Sequence, residues 1–148
     1  MLVPDSPRQP AQVLDARDLA VWLVEAGTSK TTGTFNAFGE QSTLGQMIDM
    51  AAEVAGFTGD KVPADPDWLS DHDVQPWSGP RSLPVWVPDH DGIGSRSSRA
   101  VDAGLKRRPL ERLLAETLEY EQSLGLDRER RAGLTRAAEL DLLEHLKP

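Results

Sequence analysis

The chain has 148 residues, with 16 Lys+Arg against 24 Asp+Glu, three His and no Cys. The missing cysteine excludes disulfide scaffolds, Cys-ligated zinc or iron–sulfur centres and a thiol nucleophile. The net charge of −8 argues against a general nucleic-acid binder, which needs a basic footprint to displace counterions. No apolar run approaches the roughly 18 residues of a membrane span. Met1–Pro10 lacks the basic-then-apolar layout of a signal peptide. The expectation is a soluble, cytoplasmic chain with neither nucleic-acid nor membrane partners.

Taken in chain order, prolines at 4, 7 and 10 disfavour helix at the residues before them and predict an extended lead-in. Val13-Leu14 reads as a short strand. Asp15-Ala-Arg-Asp18 leads into Leu19-Ala-Val-Trp-Leu-Val24, ended by Gly27; the acidic start and terminal glycine predict a buried helix with Trp22 in the core. Gly33-Thr-Phe-Asn-Ala37 reads as a strand bounded by glycines. Thr43 with Gln46 forms a capping box. The stripe Leu44, Met47, Ile48, Ala51, Ala52, Ala55 then predicts an amphipathic helix closed by Gly56.

Asp65-Pro66 starts a short helix through Trp68 and Leu69. From Pro76 to Pro88 the chain reads as extended, with Val85 and Val87 on one side and Trp86 on the other. His90 to Ser98 is expected to be a loop, and Ser98 to cap a short helix ending at Gly104. Pro109 begins a long helix (Leu110, Leu113, Leu114, Thr117, Leu118) closing at Gly125, and Thr135 caps a last one carrying Ala138, Leu142, Leu143 and Leu146. Strand, helix, strand, helix, an irregular Trp/Pro segment and further helices make an α/β or α+β chain. Two or three strands are too few for a self-contained parallel sheet.

The charge is unevenly spread: residues 1–94 carry five basic and fourteen acidic side chains, residues 95–148 eleven and ten. The second part reads as helices with solvated, ion-paired faces. No phosphate-binding G-x-G-x-x-G follows a strand, since Gly92-Ile-Gly94 continues as Ser-Arg-Ser; Tyr120 is followed four residues later by Leu124, so it forms no Tyr-x-x-x-Lys pair. A nucleophile elbow is also missing.

Asp71-His72-Asp73 and Asp89-His90-Asp91 are acid-flanked histidines, a chemistry suited to zinc, manganese or nickel. Adjacent side chains point apart, however, so exposed loop residues are the expected role and no metal site is expected. His145 reads as a partner of its helix's C-terminal dipole. Trp77 and Trp86 flank the Pro-rich loop, where they either pack in the core or line a ligand cleft. Arg99, Arg107 and Arg108 cluster around a helix and turn; they suit either a mixed-charge surface or bidentate anion recognition.

Several segments occur together, in order. Val13-Leu-Asp-Ala-Arg-Asp-Leu-Ala20, Gly33-Thr-Phe-Asn-Ala37 and Thr43-Leu-Gly-Gln-Met47 come first. Leu83-Pro-Val-Trp-Val-Pro-Asp89, Ser98-Arg-Ala100 and Gly104-Leu-Lys-Arg-Arg-Pro-Leu-Glu111 with Thr117-Leu118 follow. From about residue 3 to the end the chain resembles the C-terminal part of the extended short-chain dehydrogenase/reductases, the NAD-dependent epimerase/dehydratases, most nearly their bacterial reductase-like members.

The resemblance implies an incomplete Rossmann-type α/β fold. Residues 1–56 would be the last sheet strand and flanking helices, 57–108 a substrate lobe, and 109–148 a helical tail. Phe35 and Asn36 would lie on the last sheet strand. Trp77, Trp86, Arg99 and Arg108 would belong to the substrate lobe or its cleft. The Gly-rich cofactor turn and the Tyr-x-x-x-Lys pair belong to an N-terminal half absent from this chain. NAD(P) is thus implied for the intact family, and for this chain alone no cofactor and no catalytic residue. A truncated or split gene product is the implied origin. The implied partners are a separately encoded Rossmann half or a second copy. The other reading is a non-catalytic ligand-binding or interaction module that dimerises through an exposed sheet edge at Gly33–Ala37.

Overall fold

The structure, a computed structural model, describes residues 1–88 and 99–146. Among these residues the chain is mixed α/β, with six helices and a few very short strands in two-stranded sheets. The first sheet pairs β1 (Leu2–Pro4) in parallel with β4 (Val62–Ala64), Leu2 opposite Val62. The second pairs β2 (Pro10–Ala11) antiparallel with β3 (Ser42–Thr43). The third pairs β5 (Gln75–Pro76) in parallel with β6 (Ser82–Leu83).

The helices follow their start signals closely. In α1 (Ala16–Thr28) the Asp15 carboxylate accepts from the Arg17 amide. In α2 (Leu44–Val54) both halves of the Thr43/Gln46 capping box are formed, satisfying two otherwise orphaned donors. Asp65 caps α3 (Pro66–Asp71), with Pro66 in its first turn. The short α4 (Arg99–Asp102) precedes Gly104; the Ser98 cap expected for it lies outside the described residues. Pro109 and Gly125 flank α5 (Leu110–Leu124), and Thr135 caps α6 (Arg136–His145).

The strand expectations need correction. Val13-Leu14 is irregular, and Gly33–Ala37 forms no strand. The latter segment is held by side chains instead: Phe35 packs edge-on against Trp22, ring centroids 5.6 Å apart. An apolar run alone cannot make a strand without a ladder partner for its amides. The lead-in in turn contributes a true strand, β1. Its partner β4 contains Pro63 and carries no readable period. The 76–88 segment is not continuously extended: it folds back on itself through the β5–β6 pair, with Val85 in left-handed backbone at φ 67°.

Among the described residues, two apolar clusters form the interior. The larger gathers Leu2, Leu44, Ala64, Leu69, Val74, Trp86 and Leu142, so it is built from β1, α2, β4, α3, the Trp86 loop and α6. The smaller centres on Trp22, Ala100 and Leu105, with Phe35 and Leu19 against it. Trp22 is in the core as expected, and its Nε1 donates to the Ala103 carbonyl at 3.0 Å. The rest of α1 is not buried: Val21, Leu23 and Val24 are 59, 56 and 68% exposed.

Candidate functional site

The four residues singled out from the sequence occupy different places. Trp86 lies in the larger core, 1% exposed, and its Nε1 has no hydrogen-bond partner among the described residues. Trp77 is on the surface at 63% exposure, with φ 66°. The two are joined through the backbone, the Trp77 amide donating to the Trp86 carbonyl at 3.0 Å, while one ring is buried and the other open to solvent. Arg99 starts α4, its guanidinium carbon 5.5 Å from the Phe35 ring centroid, a cation–π spacing. Arg108 sits between α1 and α5, apart from both tryptophans.

The Trp/Pro segment is held by a residue the sequence did not single out. Gln9 is 2% exposed; its Nε2 donates to the Val85 carbonyl at 2.7 Å, and its Oε1 accepts from the Val87 amide at 2.8 Å. This amide clip brackets Trp86 on both sides and seats its ring in the core. Trp77, Arg81 and Val85 all adopt positive φ, a costly conformation for non-glycine residues and most of all for a β-branched one. The clip and the packing of Trp86 hold the loop in that strained shape. The only sequence signal was a Gln set between Pro7 and Pro10.

Arg108 is the hub of an ion network. Its Nη2 meets Asp18 Oδ1 at 2.7 Å, and its Nη1 meets Glu116 Oε2 at 2.7 Å and Asp15 Oδ2 at 3.2 Å. Its backbone amide also donates to Asp18 Oδ2 at 2.8 Å. Arg17 bridges Asp15 and Glu116 from outside, and Arg112 pairs with Glu116 Oε1. Three guanidinium groups thus balance three carboxylates. The hydrogen bond from Arg17 lowers the Asp15 carboxyl to about 2, outweighing the opposing effect of its burial, with Arg108 adding attraction. Asp18 is lowered by its hydrogen bonds to Arg108, and Glu116 by those from Arg112 and Arg17. Arg108, raised by Asp18, directs its fork at the protein's own acids, which serves to fix α5 against the start of α1. The spacing Asp15…Asp18 was legible; a partner 90 residues away was not.

Arg108 also forms part of the wall of a cleft of about 410 Å³ between β3, α2 and α5. Val13, Met50, Leu110 and Leu113 supply its apolar lining, and Glu40, Asp49 and Glu53 its acidic lining. The excess of carboxylates favours a neutral or cationic occupant over an anion. Lys61 forms a hydrogen-bonded ion pair with Asp49. Trp77, Trp86 and Arg99 do not line this cleft.

Asp71-His72-Asp73 straddles the end of α3, where the His72 ring stacks on Trp68. Asp89-His90-Asp91 and Gly92-Ile-Gly94 lie outside the described residues. No described helix is long and apolar enough to cross a membrane. Comparison with known proteins gives no match of any kind: no protein-family model, no curated protein and no solved structure matches this chain.

Proposed function

We propose that the chain is the substrate-binding, C-terminal part of an NAD(P)-dependent oxidoreductase/epimerase-like protein, an incomplete Rossmann-type unit that is not catalytic alone. The observation that carries this reading is the outer face of α1. A helix on the outside of a finished domain has a polar outer stripe. In α1, Trp22 points into the core while Val21, Leu23 and Val24 face outward. A helix apolar on both sides suits a position between two layers. The missing layer corresponds to the sheet of a nucleotide-binding half.

The N-termini of α1 and α2 do not suit the pyrophosphate of a nicotinamide dinucleotide. The N-terminus of α1 is taken by the Asp15 carboxylate, and the Arg17 and Arg108 guanidinium groups beside it are committed to Asp15, Asp18 and Glu116, so the donors a pyrophosphate would use there are already engaged. The N-terminus of α2 is closed by its own capping box. No catalytic step is therefore assigned to this chain. Its contribution is to the substrate side, through the Trp77–Trp86 loop, Arg99 and the acidic cleft beside Arg108. The alternative of dimerisation by strand addition loses its motivating feature, because Gly33–Ala37 is not a strand.

Calorimetric titration of the isolated chain with NADH and NADPH should show no binding; micromolar affinity would overturn the proposal. A nucleotide-binding half encoded directly upstream, supplied in trans, should co-purify with the wild-type chain and not with Val24→Glu. That variant by itself should stay within about 0.5 kcal/mol of wild-type stability, as surface changes do. A large loss would mean that this chain already covers the face.

A further inference from the structure

The sequence offered His72 and His90 as metal-ligand candidates; the fold instead brings His72 to His145. The first ends α3 and the second ends α6, 73 positions apart in the chain, yet their ring centroids are 6.1 Å apart. We propose that this pair is a two-imidazole site for a divalent transition-metal ion of the zinc–copper class, clamping α6 to α3.

Three observations support it. The first is the state of the ring nitrogens. His72 Nδ1 lies 2.8 Å from the Trp68 carbonyl, and His145 Nδ1 lies 2.8 Å from the Asp141 carbonyl. A carbonyl only accepts, so each Nδ1 is the donor, which leaves Nε2 as the nitrogen whose lone pair a metal ion takes. Metal-binding histidines are commonly oriented in this way, one nitrogen donating to a carbonyl while the other binds the ion.

The second is spacing. With Zn–N bonds of about 2.0–2.1 Å, an ion sits roughly 3 Å from each ring centre, so two rings sharing it stand about 5–6 Å apart. The observed 6.1 Å lies at the upper edge of that spacing. His72 is already fixed by stacking on Trp68, with centroids 3.8 Å apart.

The third is field. Asp71 and Asp73 flank His72, and Asp141 and Glu144 accompany His145 on α6, with Asp141 Oδ1 3.9 Å from His145 Nδ1. Arg81 opposes them, donating to the His72 carbonyl at 3.1 Å, but the acids outnumber it. No group of three or more His, Cys, Asp or Glu that could hold a metal gathers among the described residues, so the pair supplies two ligands and water completes the shell. Imidazole favours copper, nickel and zinc over magnesium or calcium.

The test is calorimetric titration of the untagged full chain with Zn²⁺, alongside ¹H–¹⁵N imidazole spectra. One ion per chain should bind, moving the Nε2 resonances of two histidines. Tm should rise by about 5–10 °C at a hundredfold excess over Kd. His72→Gln and His145→Gln should each weaken binding by at least about tenfold, while His90→Gln leaves it unchanged. The exposed position of His145 keeps its variant folded, which circular dichroism verifies. Absence of binding, equal affinity in the two Gln variants and wild type, or loss of binding in His90→Gln would each overturn the proposal.

Discussion

Replacing Gln9 with Met keeps the length and volume of the side chain while deleting the clip on the Trp86 loop. The backbone of Gln9 is held separately, its amide donating to the Ser6 carbonyl and its carbonyl accepting from the Leu44 amide, so the substitution isolates the side chain's contribution. Two hydrogen bonds over 76 and 78 residues are lost, each worth about 0.5–1.5 kcal/mol net. The Val85 carbonyl and Val87 amide are then left unpaired. Both residues are only half-buried, so water recovers part of that penalty. Release of Val85 from its left-handed conformation returns a further fraction. The expected loss is about 2–3 kcal/mol, which for a chain of this size lowers Tm by about 5–10 °C. Urea unfolding followed by circular dichroism measures it: the midpoint should fall by roughly 1 M with an unchanged slope. A midpoint within about 0.2 M of wild type would refute the idea that Gln9 holds the loop.

The acid limb of stability should trace the Arg108 network. Because the folded-state carboxyl of Asp15 is held at about 2, below its unfolded value near 4, its stabilisation is complete above about pH 4. It is lost as pH falls from there through about 2; Asp18 and Glu116, also lowered, act in the same sense. Tm measured from pH 2 to 7 should drop below about pH 4, and Asp15→Asn should flatten part of that drop; an unaltered acid limb in the variant contradicts the assignment. Gly39→Ala would place a Cβ 1.6 Å from the Val13 carbonyl oxygen, a backbone atom that cannot step aside. It should cost at least about 3 kcal/mol, and a thermal melt within 1 kcal/mol of wild type would show that the two segments are not in register.

What could be read from the sequence was local. Thr43 with Gln46, Asp65-Pro66, Pro109 to Gly125 and Thr135 each specify a helix end through groups two or three residues apart, and each helix is present. Trp22 was placed in the core because an apolar helix must bury its largest residue. The strands were not readable, because segments of two or three residues are shorter than any period. Gly33–Ala37 resembles a strand in composition but is held through Phe35 rather than by a ladder. The candidate site was less legible still. The Asp18 partner of Arg108, the Val85 and Val87 partners of Gln9 and the His145 neighbour of His72 lie between about 70 and 90 positions away, so only folding brings their chemistry together.

The pairing of Leu2 with Val62 and the bond from the Leu2 amide to Glu139 Oε1 also constrain the order of events when the chain folds. The first strand belongs to a core whose last wall, Leu142 on α6, is made at the far end of the sequence. Closing a loop of that length carries an entropic cost that must be met before the buried contacts compensate it. During synthesis the capped helices can form as they emerge and β1 can meet β4 once residues 62–64 are out, but the core around Leu2 is closed only when α6 follows. Until then Leu2 and its neighbours are exposed apolar surface, open to capture by a chaperone.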